Sequence, residues 1–459
     1  STPTRWPNCT NSKAAEPRSC CDPLPAKTMK TIAQIAAELQ GYDPQALPAN
    51  AVLDFLQRLV TPVTESNHQP LFDALGKVLS ADVISPLNVP PHDNSAMDGY
   101  AFDGSQLQVN GPLQLKVVGT ALAGKAWAGT AGPGDCVKIM TGAIMPAGFD
   151  TVAPQEIVTQ LGGETAFIVI PAGMLTPGDN RRLRGEDLAQ GHPALLKGQV
   201  VTPARLGLAA SLGLPSLPCW RPLRVAYFST GDEILSLGEP PREGAVYDSN
   251  RYTTFGLLKR LGCEVIDLGV VKDDPVLLEA AFRTAAAQAD AIITSGGVSV
   301  GEADYTKAMM KKLGDVAFWR IAMRPGRPMA VGRIASESNA KAGAVLFGLP
   351  GNPVAVMVTF LAFVRPALRQ MMGCTDSAAP LLKAHSQEPM RKKSGRTEYQ
   401  RGWVSSATDG SLQVRTTGNQ GSGVLSSMAE ANGLIVLHHD QGNVGVGDLL
   451  DVMMFNGAI

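Results

Sequence analysis

Ala291–Lys307 reads AIITSGGVSVGEADYTK. Its first residues, Ala291–Thr294, are apolar and largely β-branched, which predicts a short buried strand. Ser295 to Gly301 follow at once, with three glycines and two serines in seven residues. Such a loop lets the backbone approach a ligand and turns N–H and hydroxyl donors toward an anion. Glu302 and Asp304 come next, at the start of a helical pattern through Tyr305, Met309, Met310 and Leu313. A strand, an anion cradle and two carboxylates point to a phosphate site with a divalent cation beside it. The plainer alternative is a tight strand-to-helix loop whose Asp304 caps the helix. These residues alone do not separate the two.

The flanking sequence favours the site. Strand patterns at Leu223–Phe228, Glu264–Val270, Ala291–Thr294, Ala317–Ile321 and Val345–Leu349 alternate with helical patterns at Arg251–Leu261, Pro275–Ala287, Asp304–Leu313 and Pro353–Arg369. That alternation predicts a doubly wound, mainly parallel sheet, with ligands at the carboxyl ends of the strands. The predicted strand ends carry Ser229, Gly231, Asp232 and Glu233; Asp273; Ser295, Gly296, Gly297 and Ser299; Arg320, Arg324 and Arg327; and the Pro350–Pro353 turn. Carboxylates, hydroxyls, glycine turns and arginines thus fall on one rim. Oxygen ligands without His or Cys suit Mg²⁺, and the arginines suit phosphate or another oxyanion.

The remainder frames this domain. A chain of 459 residues implies several domains. Its net charge of −1 gives no general attraction to nucleic acid or an anionic membrane. Seven cysteines without a CxxC pair suit a reducing, cytoplasmic setting. The apolar run Val354 to Val364 is too short to span a bilayer. Residues 1–28 read as a disordered leader. Residues 29–222 form an N-terminal region, with helices over Thr31–Val60, Leu71–Leu79 and Pro203–Gly213 and a β-rich module over about 112–200. Ser85–Gly104 is polar, proline-rich and expected to be an irregular loop carrying Asp93 and Asp98. Thr141 stands at a strand end, and Arg181, Arg182 and Arg184 crowd a charged loop whose plainer reading is a solvated surface. The α/β domain covers 223–374. Residues 375–459 alternate like a small β-barrel, with Arg401 and Ser422 near its most site-like turn.

The motifs PPHDNSAMDGYA (90–101), KIMTGA (138–143), RRLRGEDL (181–188), FSTGDE (228–233), VYDSNR (246–251), DDP (273–275), SGGVSVGEADYT (295–306), RPGRP (324–328) and GLPGNP (348–353) resemble the molybdopterin molybdenumtransferase family, the MoeA type, similar to the E domains of gephyrin and its plant counterpart. The resemblance runs from about Thr31 to the C-terminus and implies a MogA-like central domain. It also implies a homodimer that takes adenylylated molybdopterin and molybdate and releases AMP and molybdenum–molybdopterin. On that resemblance Glu233, Asp273 and Asp304 hold Mg²⁺ and the phosphoanhydride. Ser229, Gly231, Asp232, Ser295, Gly296, Gly297 and Ser299 hold phosphates. Arg320, Arg324, Pro350, Pro353, Arg401 and Ser422 line the oxyanion and pterin side, and Asp93 and Thr141 reach in from the partner subunit. Family members often carry lysine at the positions of Arg320, Arg324 and Arg327; arginine keeps the charge but cannot trade protons at neutral pH.

Two other readings stand beside this one. A molybdopterin adenylyltransferase would use the same central domain but needs neither flanking β region. A gephyrin-like scaffold would not need the acidic rim. A MogA-like adenylyltransferase is the expected donor of the adenylylated substrate.

Overall fold

The computed structural model describes residues 30–162, 166–298, 305–336, 343–376 and 379–455. The expected leader, and Ser299, Glu302 and Asp304 of the glycine-rich loop, lie outside the described residues.

Six strands form the central sheet: β1 (Arg224–Thr230), β2 (Glu264–Val271), β3 (Ala291–Ser295), β4 (Gly314–Arg320), β5 (Pro328–Ile334) and β6 (Ala344–Leu349). Their order is β2-β1-β3-β6-β5-β4, parallel from β2 to β6, with β5 antiparallel to both neighbours. β4 therefore runs with β6, and its end at Arg320 shares a rim with the ends of β1, β3 and β6. The sequence reading missed β5, which starts at a proline directly after the arginine-rich turn.

Alternation along the strands divides the apolar residues between two cores. Val225, Tyr227, Ile293 and Phe347 face the helices Ser249–Arg260 and Pro353–Met371. Ala226, Phe228, Ile292 and Leu346 face Pro275–Gln288 and Met310 of Tyr305–Leu313. This is the doubly wound arrangement that buried parallel strands require. The helix read over Pro353–Arg369 runs to Met371, past the end of the apolar run at Val364 and through a π-helical turn at Phe360–Val364 that precedes Pro366. By length and composition this helix reaches the membrane-spanning range, but 78% of its apolar window is buried inside the protein. It is the core helix of the sheet.

The first two helices, Ile32–Glu38 and Ala49–Leu59, pack their apolar faces into the same core. Between them the chain closes the β4 edge: Arg320 N donates to Pro44 O at 2.8 Å and Leu47 N to Arg320 O at 3.2 Å. A covered edge cannot pair with another chain. The stretch Leu71–Leu79, expected as a helix, holds only a 3-10 turn at Leu71–Asp73. Gly76 breaks it with a positive φ, and the amides of Gly76 and Leu79 bond Val201 O and Gln199 O instead.

Strands Ser66–Pro70 and Ser216–Trp220 pair antiparallel, so the β-rich module leaves and returns through a two-stranded stem. Its sheet has six strands, including Gly99–Phe102 from the segment expected to be irregular. All four residues of that strand are buried, which its short apolar core GYAF explains. After the central domain, Leu381–Ser386, Thr397–Ser406, Leu412–Thr416, Gly433–Leu437 and Leu449–Met454 close into a small barrel, because Thr397–Ser406 pairs with both Leu412–Thr416 and Gly433–Leu437. The two-residue strand Met323–Arg324 of the β4–β5 turn pairs with Thr397 and Glu398, docking the barrel on the rim.

Candidate active site

A cleft of about 1080 Å³ opens where the strand ends meet the barrel. It is lined by Gly231, Glu233, Asp248, Asn250, Asp273, Ser295, Gly296 and Gly297, from the ends of β1, β2 and β3 and the helix Ser249–Arg260, and by Pro350 and Pro353 after β6, Arg324 and Arg327 of the β4–β5 turn, and Arg396 and Ser422 of the barrel. In the sheet order β6 separates the acidic, glycine-rich ends of β2, β1 and β3 from the arginine turn between β4 and β5, so the cleft is acidic toward one side and basic toward the other.

Local chemistry sets each part. Gly231 has φ 140°, and a Cβ there would lie 2.5 Å from the Glu233 carboxylate. Gly296 has φ 92°, and a Cβ there would lie 2.5 Å from Thr230 O. Both turns need a residue without a side chain. After β2 the adjacent aspartates divide their tasks: Asp274 caps the next helix by accepting from Val276 N and Leu277 N, while Asp273 lines the cleft and donates its N–H to Asp232 Oδ1 at 3.4 Å. Asp248 caps Ser249–Arg260 through Oδ1, which accepts from Arg251 N at 3.1 Å. Its Oδ2 is buried and has no hydrogen-bond partner among the described residues, and Asn250 Oδ1 and Thr230 Oγ1 share that condition. Asn250 Nδ2 donates to Gly351 O at 2.7 Å, tying this side to the Pro350–Pro353 turn. Buried polar atoms are rarely left unpaired, and three of them belong to residues lining this one cleft.

Other expected site residues stand apart from the cleft. Ser229 is buried beneath it, in a hydroxyl network with Ser295 at 3.2 Å and Tyr227 at 2.9 Å. The Tyr227 hydroxyl also meets Ser295 Oγ at 2.7 Å, and burial pushes its pKa well above the ordinary value. Asp232 makes backbone contacts, its carbonyl accepting from Arg242. Arg320 lines a side pocket of about 270 Å³ with Arg327, Lys393 and Arg396. Arg401 is fully buried; its Nη2 donates to Asn419 O and Gly421 O, its Nη1 to Gln420 O and its Nε to Ser427 Oγ. Burial and then Arg324 lower its pKa to about 10, so it remains charged at neutral pH. It shapes the turn that carries Ser422. Asp93 and Thr141 sit in the β-rich module. Asp93 Oδ1 accepts from Arg184 N at 2.8 Å, and Thr141 donates N–H and hydroxyl to Asp98 Oδ1, both at 2.7 Å. Those two bonds hold the Asp98 carboxyl below its usual range.

Sequence reasoning did not single out Thr230, Asp248, Asn250 or Arg396. The signal for Asp248 and Asn250 was present in VYDSNR but reads as an ordinary helix cap. Arg396 follows a glycine at a turn, with nothing local to aim it.

Residues 226–370 match the family described as "Probable molybdopterin binding domain". Residues 47–213 match "MoeA N-terminal region (domain I and II)", and 383–455 match "MoeA C-terminal region (domain IV)". The molybdopterin molybdenumtransferase of Haemophilus influenzae is 41% identical over 87% of this chain and 96% of its own length. Molybdopterin molybdenumtransferase 2 of Mycobacterium tuberculosis is 37% identical over 86% and 96%. The crystal structure of a molybdopterin biosynthesis MoeA protein from Pyrococcus horikoshii superposes with a TM-score of 0.75 at 25% identity, covering 90% of this chain and 100% of that one. The chain belongs to the molybdopterin molybdenumtransferase family.

Proposed function

We propose that the cleft is where adenylylated molybdopterin meets molybdate, with AMP released as molybdenum is inserted during molybdenum-cofactor biosynthesis. The observation that carries this is one cleft lined by acidic, glycine-rich strand ends on one side of β6 and by arginines on the other. The glycine turn and Ser295 suit phosphate oxygens. The orphaned oxygens of Asp248 and Asn250 suit N–H or O–H donors of the bound molecule. Arg324, Arg327 and Arg396 suit a tetrahedral oxyanion, with Arg320 lining the neighbouring side pocket.

The donor set also fits Mg²⁺. Glu233 and Asp273 line the same cleft, with the unpaired Asp248 oxygen on the same side. Among the described residues no group of three acidic, His or Cys side chains forms a full metal cage, and Mg²⁺ commonly keeps waters and bridges to substrate phosphates. Glu233 and Asp273 would hold it together with Asp304. When bound, it would neutralise charge developing on the phosphoanhydride.

Asp93 and Thr141 do not line this chain's cleft, and we assign them to the site of a second copy in a homodimer. We place the enzyme in the cytoplasm, supplied by a MogA-like adenylyltransferase. Buried, unpaired Cys136, Cys219, Cys263 and Cys374 accord with a reducing setting; burial pushes the Cys263 thiol up to about 12.

The test is AMP release from adenylylated molybdopterin by the purified protein, with and without molybdate. Release that depends on molybdate and Mg²⁺ is expected. Release at the same rate without molybdate overturns the reading. Asp304→Asn should keep the fold and lose AMP release; a wild-type rate removes Asp304 from the site.

A further inference from the structure

Lys392 is 5% exposed and makes no ion pair among the described residues. Its ammonium donates to three backbone carbonyls: Lys393 O at 3.0 Å, His439 O at 3.3 Å and Gln441 O at 2.9 Å. An ammonium has three donors and no acceptor, so its bonding is complete without a carboxylate. Burial holds its pKa below the ordinary lysine value. A buried charge is costly, and a well-packed apolar residue often serves stability as well. The position therefore needs a reason beyond packing.

The reason lies in what the lysine joins. Lys392 N donates to Asn443 Oδ1 at 2.9 Å, Gly395 N to His439 O at 2.9 Å and Ser394 Oγ to Gln441 O at 3.4 Å. Residues 392–395 are thus laced to the 439–443 turn. Arg396 comes next and lines both the cleft and the basic side pocket, with its Nε donating to Glu398 Oε1 at 2.8 Å. Glu398 fixes the guanidinium, and the lysine fixes the backbone from which it projects. Lys393, beside the ammonium, lines the side pocket with Arg320 and Arg327.

We propose that Lys392 is a positioning residue whose buried ammonium clips the 392–395 loop to the 439–441 turn and so holds Arg396 on the arginine side of the cleft. The proposal rests on reading that side as the one that takes molybdate. The ammonium does not touch substrate; it acts through Arg396.

Lys392→Met keeps length and removes the donors. It should raise the molybdate KM about tenfold, equivalent to about 1.4 kcal/mol, leaving kcat and the KM for adenylylated molybdopterin near wild type. The Gly395 amide should exchange faster with solvent. In an Arg396→Gln background the same change should add nothing further to the molybdate KM, because both act through one guanidinium. An unchanged molybdate KM, or an equal effect with and without Arg396, overturns the proposal. If Lys392→Met does not fold, Lys392→Gln, whose shorter amide cannot bond all three carbonyls, should raise the molybdate KM by a smaller factor that again vanishes in the Arg396→Gln background, and a rise that persists there overturns the proposal. A wild-type protein whose AMP release ignores molybdate overturns the oxyanion reading itself; a molybdate-dependent wild type with an unaffected Lys392 variant overturns only the clip.

Discussion

Two stretches of this chain carry three arginines each and meet opposite ends: Arg181, Arg182 and Arg184 in the β-rich module, and Arg320, Arg324 and Arg327 at the sheet rim. The first set is partly neutralised where it stands. Arg181 lies 3.6 Å from Asp93, and Arg182 lies 3.9 Å from Glu186. The second set makes no ion pair among the described residues and faces a cleft and its side pocket. Composition treats them alike, but their neighbours do not. Acids follow the first set at Glu186 and Asp187, whereas none occurs from Arg320 to Ser336. Unneutralised guanidinium groups gathered at one mouth are available to an anion from outside.

That contrast can be challenged by substitution. The largest effect should come from a third kind of arginine, the buried Arg401. Arg401→Met strands the carbonyls of Asn419, Gln420 and Gly421, and should cost about 3 kcal/mol, read as a lower urea midpoint for the barrel. If stability is unchanged, the guanidinium is not what holds that turn. Next comes Arg324→Gln, expected to lower kcat/KM for molybdate about a hundredfold, near 2.7 kcal/mol, with the urea midpoint unmoved. A loss of similar size from Arg182→Gln would dissolve the distinction between the two stretches.

Smaller still, Arg181→Gln should change stability by under about 1 kcal/mol, as for an ion pair of long geometry and partial exposure. A clearly larger loss of stability would show that the pair with Asp93 is more than a surface contact. The last effect concerns Asp98, whose carboxyl lies below its usual range because Thr141 donates to it twice. A depressed carboxylate stabilises the fold above its unfolded pKa, and that contribution fades as pH falls through the folded value. Thr141→Val should move the Asp98 titration, followed by NMR, upward toward the ordinary carboxylate range. An unmoved titration would detach Thr141 from that carboxylate.

The sheet was legible because its strands are short apolar runs between helices of ordinary period. β1, β2, β3, β4 and β6 and their helices follow from alternation alone, and so does the placing of Glu233, Asp273, Ser295, Gly296 and Arg324 on one rim. What escaped depends on partners distant in the chain. β5 begins with a proline, so its pattern does not announce itself. Gly99–Phe102 is a strand because a sheet already waits for it on both sides. Leu71–Leu79 fails as a helix because residues 199–201 supply better acceptors. Ser229 lies on the correct strand but below the surface, and Arg401 points at its own loop. Side-chain direction at a strand end or inside a barrel is set by packing, which no local spacing encodes.

The paired strands Ser66–Pro70 and Ser216–Trp220 bear on how the protein can change over time. Hydrogen-bonded neighbours sit about 4.8 Å apart, so the chain could be rejoined across the stem with very few residues. The two apolar clusters of the module's six-stranded sheet draw only on residues between Tyr100 and Leu175, while Val78 and Val200 nearer the stem pack on the central core. The six-stranded sheet of such an appendage can vary in its own packing independently of the central sheet, provided the loops that carry Asp93 and Thr141 are kept. The barrel has no such freedom, because one of its strands is bonded directly to the arginine turn.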